Sequence, residues 1–113
     1  GICVSEALKA QEELKKENID VRVVDMFCLK PIDKEIIIKS AKETKHLISI
    51  EDHSVIGGLG SIIADVLTEE FPKKLIKIGV NDRFGESGKA TELLKKFELD
   101  SESIANKVKS IME

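Results

Sequence analysis

A chain of 113 residues, 42% hydrophobic and 35% charged, has the balance of a globular domain and not of a disordered tail. Its net charge of −3, with four Phe and no Trp or Tyr, supplies neither a basic surface nor an aromatic platform for nucleic acid. No apolar run approaches the roughly 20 residues of a membrane span, and no secretory leader is read, so a cytoplasmic location without a membrane partner is expected.

The chain alternates between helical and strand periods. Val4, Ala7, Leu8, Gln11 and Leu14 fall at helical spacing, with Ser5 as the expected N-cap. Asn18 followed by Ile19 predicts a left-handed C-cap with an apolar follower. Val21, Val23, Val24 and Met26 predict a short strand with apolar residues on both faces, as a buried parallel strand requires. Asp33 is the next expected N-cap, with Ile32 and Ile37 placed as a staple around it, and the helix carries Ile36, Ile37, Ile38 and Ala41. Leu47, Ile48 and Ile50 predict a second strand ending at Glu51. Beyond a glycine-rich loop, Leu59, Ile62, Ile63, Val66, Leu67 and Phe71 form one helical stripe, which Pro72 stops. Leu75, Ile76, Ile78 and Val80 predict a third strand. A second loop leads to a short helix with Leu93, Leu94 and Phe97, and Ser101 is the expected cap of a last helix bearing Ile104, Val108 and Ile111.

Such alternation predicts a three-layer α/β/α domain with a mostly parallel sheet, spanning residues 1–113 as one unit. Three strands are few for a sheet covered on both faces. A leading strand before Gly1 is therefore expected to be missing, and the chain reads as a portion of something larger. Cys3 and Cys28 lack CxxC spacing, so two small buried thiols in a reducing compartment are expected, not a disulfide or zinc site.

Two loops carry the candidate functional residues. The first places Glu51, Asp52 and His53 before Gly57, Gly58 and Gly60, at a strand-to-helix turn where α/β proteins commonly meet ligands and partners. The glycines offer either backbone N–H groups for an anion at the helix start or simply a tight turn. His53 is either a group titrating near neutrality or a histidine bonded within its loop. Glu51 and Asp52 are adjacent, so on an extended strand end they face opposite ways and do not form an acid/base dyad. One of them is expected to anchor a loop or interface. The second loop places Arg83, Ser87, Gly88 and Lys89 together, where the two cations suit a sugar phosphate, acids on a neighbouring domain, or simply a solvated loop. His46 reads as surface, and the charge runs Glu12-Glu13…Lys15-Lys16-Glu17 and Lys95-Lys96 read as solvated helix faces.

Together, Ile48-Ser49-Ile50-Glu51-Asp52-His53, Gly57-Gly58-Leu59-Gly60 and Arg83…Ser87-Gly88-Lys89…Glu92-Leu93-Leu94-Lys95-Lys96-Phe97 resemble the C-terminal domain of transketolase. The resemblance follows the chain in order, through Ser5-Glu6-Ala7 and Val21-Arg22-Val23-Val24-Asp25-Met26. Deoxyxylulose-phosphate synthases and 2-oxoacid dehydrogenase beta subunits share the fold, and the Phe84-Gly85-Glu86-Ser87-Gly88 loop resembles the transketolase branch most. Glu98 stands where transketolases usually carry a glycine, a departure that bears on a left-handed turn there and not on the family.

What the resemblance implies is a part of an enzyme that moves a two-carbon ketol unit between sugar phosphates. The whole enzyme would use thiamine diphosphate and a divalent metal (Mg or Ca), held by a pyrophosphate-binding and a pyrimidine-binding domain in the same or a separate chain. A homo-oligomeric assembly is implied. The Gly-Asp-Gly motif for the diphosphate occurs nowhere here. No catalytic, cofactor-binding or metal residue is therefore assigned to this chain, and both loops are candidates for interface or anion contact. A stand-alone interaction or anion-binding module of the same fold is the other class left open.

Overall fold

The structure is a computed structural model that describes residues 2–26, 33–54, 58–80 and 94–113, with Ile2, Asp52, His53, Ser54 and Val80 described in backbone only. The chain divides into two compact units, one of Gly1–Asp25 with Gly85–Glu113 and the other of Met26–Phe84.

The first unit is helical. Helix α1 spans Ile2–Lys15. Nothing in Ile2-Cys3-Val4 breaks a helix, so Ser5 lies inside the first turns and is exposed, not at the N-cap as expected. The buried stripe runs through Ala10 and Leu14, with Cys3 and Ala7 half-buried. That spacing of four, three and four residues marks one helix face. It leaves Leu8 outside the stripe, 47% exposed. Cys28 lies outside the described residues.

α1 ends as Asn18 and Ile19 predict. Asn18 has φ 63°, its N–H reaches the Lys15 carbonyl at 3.1 Å, and the Ile19 N–H reaches the Leu14 carbonyl at 3.0 Å. These are the paired bonds of a Schellman turn. A second such turn closes the helical turn at Leu94–Lys96, where Leu99 N–H bonds the Leu94 carbonyl at 2.7 Å and Glu98 has φ 59°. A left-handed turn therefore forms at Glu98 without the usual glycine. Leu93 lies outside the described residues.

The final helix of this unit, at Ser101–Met112, buries Ile104, Ala105 and Val108 and packs on α1. Its N-cap is Asp100 and not Ser101, one position earlier than expected; the Asp100 carboxylate accepts from the Ser103 hydroxyl at 2.5 Å. Lys109 pairs with Glu17 at 2.6 Å, and the charged runs of α1 lie on exposed faces as expected.

Val21–Met26 forms no strand, contrary to the sequence pattern. A strand exists only through a neighbour that takes its N–H and C=O groups. Here the Gln11 side-chain amide of α1 donates to the Val21 carbonyl at 2.7 Å, and Val24 is 37% exposed.

The second unit is α/β. Helix α2, Lys34–Glu43, is capped by Asp33, whose carboxylate accepts from the Ile36 N–H at 3.1 Å. Ile37 holds the staple position, whereas Ile32 lies outside the described residues. Strand β1, Leu47–Ser54, helix α3, Leu59–Glu70, and strand β2, Leu75–Val80, make one βαβ unit with parallel strands. Among the described residues the sheet has these two strands and not three. Ile37, Ala41, Val66 and Leu67 form its core, with Ile36, Ile38, Leu47, Ile63, Phe71 and Leu75 packed around them. Lys73 draws α2 in: its Nζ donates to the Ala41 carbonyl at 2.6 Å and to the Thr44 carbonyl. A cation on the last carbonyls of a helix also complements the helix dipole. With the Ser101–Met112 helix as α4, the order is α1, α2, β1, α3, β2, α4 around the helical turn at 94–96.

Candidate functional site

The β1–α3 junction is built by strand parity. Side chains two apart share a face of a strand, so Leu47, Ser49 and Glu51 point together. That face meets α3: Leu47 joins the core near Val66 and Leu67, and Ser49 lies under Gly60. Glu51, one step further along, arrives at the start of α3.

There its carboxylate bridges two backbone donors. Oε1 accepts from the Leu59 N–H at 2.9 Å and Oε2 from the Gly60 N–H at 2.8 Å. These are the first two residues of α3, and the N-cap residue, Gly58, has no side chain to supply an acceptor. The first N–H groups of a helix lack intrahelical partners and carry partial positive charge, so a carboxylate satisfies both requirements at once. Glu51 is 6% exposed. It loses hydration there and gains two charge-assisted bonds in return.

Gly60 makes this approach possible. A Cβ at that position would lie 2.8 Å from Ser49 Oγ, 2.9 Å from Lys77 Cγ and 3.0 Å from Lys77 Cδ. Ser49 and Lys77 are ladder partners, so Gly60 presses directly on the sheet. A larger residue would require the Ser49 and Lys77 side chains or the helix start to shift.

β1 does not stop at Glu51 as expected but continues to Ser54 through an irregular ladder. Ile50 pairs with Ile78 and Ser54 with Val80, so three β1 residues oppose the single residue Gly79. Extra residues in one strand bend and twist it, commonly at sheet edges and beside functional sites. Asp52 and His53 fall in this irregular stretch; their side chains are not described. Of the residues read from the sequence, the structure brings together Glu51, Gly58 and Gly60. Gly57, Arg83, Ser87, Gly88 and Lys89 lie outside the described residues. His46 is exposed, as expected.

Sequence reasoning missed the partner of Glu51, the ladder irregularity and the Lys73 contact. The signal for Glu51 was present in the parity of Leu47, Ser49 and Glu51, combined with a glycine in the first turn of the next helix.

A parallel βαβ unit whose junction is closed by its own acid defines an α/β domain. The profile of the family described as transketolase, C-terminal domain, matches residues 1–104, and the chain belongs to this family. A transketolase C-terminal section from Methanocaldococcus jannaschii is 50% identical over 111 residues, 97% of this chain and 34% of that one. Human transketolase is 40% identical over 113 residues, 99% of this chain and 18% of that one. Among solved structures, a split-gene transketolase described as an inactive beta4 tetramer superposes with a TM-score of 0.89 at 47% identity. It covers 97% of this chain, which spans 36% of that structure. 1-Deoxy-D-xylulose-5-phosphate synthases match as well. The expected fold class, α/β/α with a mostly parallel sheet in the manner of transketolase C-terminal domains, therefore stands. The chain spans about a third or less of these relatives' lengths.

The described residues do not fit the cofactor that the family implies. No group of three or more His, Cys, Asp or Glu among them is placed to hold a metal ion. The glycine-turn helix start, the natural seat for a diphosphate, already holds the Glu51 carboxylate, and a second anion beside it would be repelled. Among the described residues no helix is long and apolar enough to cross a membrane.

Proposed function

We propose that this chain, residues 1–113, is the C-terminal structural and assembly domain of a thiamine-diphosphate-dependent transketolase. The whole enzyme transfers a two-carbon ketol unit between sugar phosphates in the cytoplasm. Thiamine diphosphate and a divalent metal, Mg or Ca, bind to its pyrophosphate- and pyrimidine-binding domains, in the same chain or a separate one. This domain contributes no catalytic, cofactor-binding or metal residue. It buttresses those domains and the homo-oligomer through the Glu51-to-Gly60 and Arg83-to-Lys89 loops.

One observation carries the reading. Among the described residues, the helix start whose glycine-rich turn suits a phosphate is filled by Glu51. A junction satisfied from within is what a buttress needs, and it is the opposite of what a diphosphate site needs. The relative that is a split-gene transketolase supports the separate-chain form of the reading.

The test is to tag the chain at its C-terminus in its native cells, purify it, and identify all co-purifying polypeptides and its own full length by mass spectrometry. Thiamine-binding domains, fused or as a stoichiometric partner, are the expected result. Recovery of the chain alone overturns the reading in favour of an interaction module. Calorimetry on the purified chain is expected to give no heat of thiamine diphosphate binding.

A further inference from the structure

A buried acid at the carboxyl edge of a sheet has two ordinary uses: chemistry on a substrate or support of a neighbouring segment. For Glu51 the geometry points to the second, and we infer that it is the positioning residue of the β1–α3 connection. Its carboxylate is the permanent occupant of α3's N-terminus, in the place where a phosphate or another external anion would sit. The assembly part of this inference rests on the function proposed above; the occupancy part does not.

Three observations converge. Both carboxylate oxygens are used, at 2.9 and 2.8 Å, on consecutive N–H groups. The residue is 6% exposed, so water does not compete freely for those donors. At Gly60 an added Cβ would lie within 3.0 Å of the Ser49 and Lys77 side chains, so the start of α3 lies close against the sheet beside Glu51. The two contacts fix both ends of the segment between Glu51 and Leu59. Fixing the ends of a loop lowers the entropy lost when that loop is ordered against a partner. Glu51 thus acts on a neighbouring polypeptide indirectly, by holding the connection in place, and touches no substrate itself.

Chemical rescue separates this role from general support of the fold. Glu51→Ala removes the carboxylate and leaves space for formate, whereas Glu51→Leu removes it and fills the space. Glu51→Gln keeps the shape and one acceptor oxygen, which guards against loss of the fold in the alanine variant. Each would be expressed as the tagged full chain in its native cells, and the co-purifying thiamine-binding polypeptide quantified. Glu51→Ala is expected to recover about tenfold less partner than the unaltered chain, with Glu51→Gln between them. Added formate is expected to restore Glu51→Ala and not Glu51→Leu. Amide NMR shifts of Leu59 and Gly60 provide the readout that needs no partner. Formate should move them in Glu51→Ala, and inorganic phosphate should leave them unmoved in the unaltered chain.

Undiminished partner recovery by Glu51→Ala, or a loss that formate does not repair, overturns the positioning role. Phosphate-induced shifts at Leu59 and Gly60 of the unaltered chain overturn the occupancy. If the unaltered chain proves to carry no thiamine-binding domain, fused or as a separate partner, the transketolase reading fails, while the amide shifts still decide whether Glu51 is the occupant.

Discussion

The starts of α2 and α3 solve the same problem in different ways. α2 begins at an aspartate next to it in sequence: Asp33 accepts from Ile36, three residues on, in an exposed position. α3 begins at a glycine without a side chain, and its acceptor arrives from Glu51, eight and nine residues earlier. The first solution is local and replaceable. The second requires a strand, a turn and a helix to be in place together, so the cap and the βαβ packing stand or fall as one. The end of α2 shows the same division, because its last carbonyls are met by Lys73 from beyond α3.

The comparison is broken most severely at Gly60. Gly60→Val should destabilise the chain by about 3 kcal/mol, through overpacking against Ser49 and Lys77 and loss of the Glu51 bonds. Urea unfolding would give the value. The smaller Gly60→Ala should be partly relieved by Ser49→Ala, which removes a buried hydroxyl that has no hydrogen-bond partner among the described residues. A double-mutant cycle that is strictly additive would mean that the close contact is unimportant.

Next comes Glu51→Ala. It leaves two N–H groups without an acceptor at a mostly buried site, and a loss of about 2 kcal/mol is expected. Asp33→Ala removes one exposed cap and should cost about 1 kcal/mol by the same measurement. If the Asp33 variant were the less stable of the two, the contrast between local and long-range caps would fail.

The smallest effect sharpens a contrast within the helical unit. Asn18 and Glu98 occupy equivalent positions in two Schellman turns, at φ 63° and 59°. Asparagine tolerates that region and glutamate does so at greater cost. Glu98→Gly should therefore stabilise the chain by about 0.5 kcal/mol and Asn18→Gly by less. Thermal melts of the two variants, compared with the parent, would rank them.

The same division between near and distant partners governs what could be read from the sequence. The Asp33 cap, the Asn18 turn, the α3 stripe ending at Phe71 and the Leu75–Val80 strand each depend on residues a few positions apart, and each was legible. Val21–Met26 has the composition of a strand, but the Val21 carbonyl is taken by Gln11 and no described strand pairs with it. Composition reports fitness for a ladder and says nothing of a neighbour to complete it. The apolar spacing of α1 predicts a stripe through Leu8, whereas burial follows Cys3, Ala7, Ala10 and Leu14; both choices satisfy helical spacing, and packing on α4 selects one. At the candidate site, the acid and the glycines were recognisable as a group, and one acid was expected to anchor a loop. That the anchor is Glu51, and that its target is this chain's own helix, depends on the close approach at Gly60.

Hydrogen exchange at individual amides tests the central claim, a junction closed from within, most directly. The account predicts strong protection of the Leu59 and Gly60 amides in the unaltered chain, lost in Glu51→Ala while the core amides of Val66 and Leu67 stay protected. Leu59 and Gly60 amides that exchange as fast as unbonded ones in the unaltered chain would contradict it, and would reopen the start of α3 as a site for an external anion.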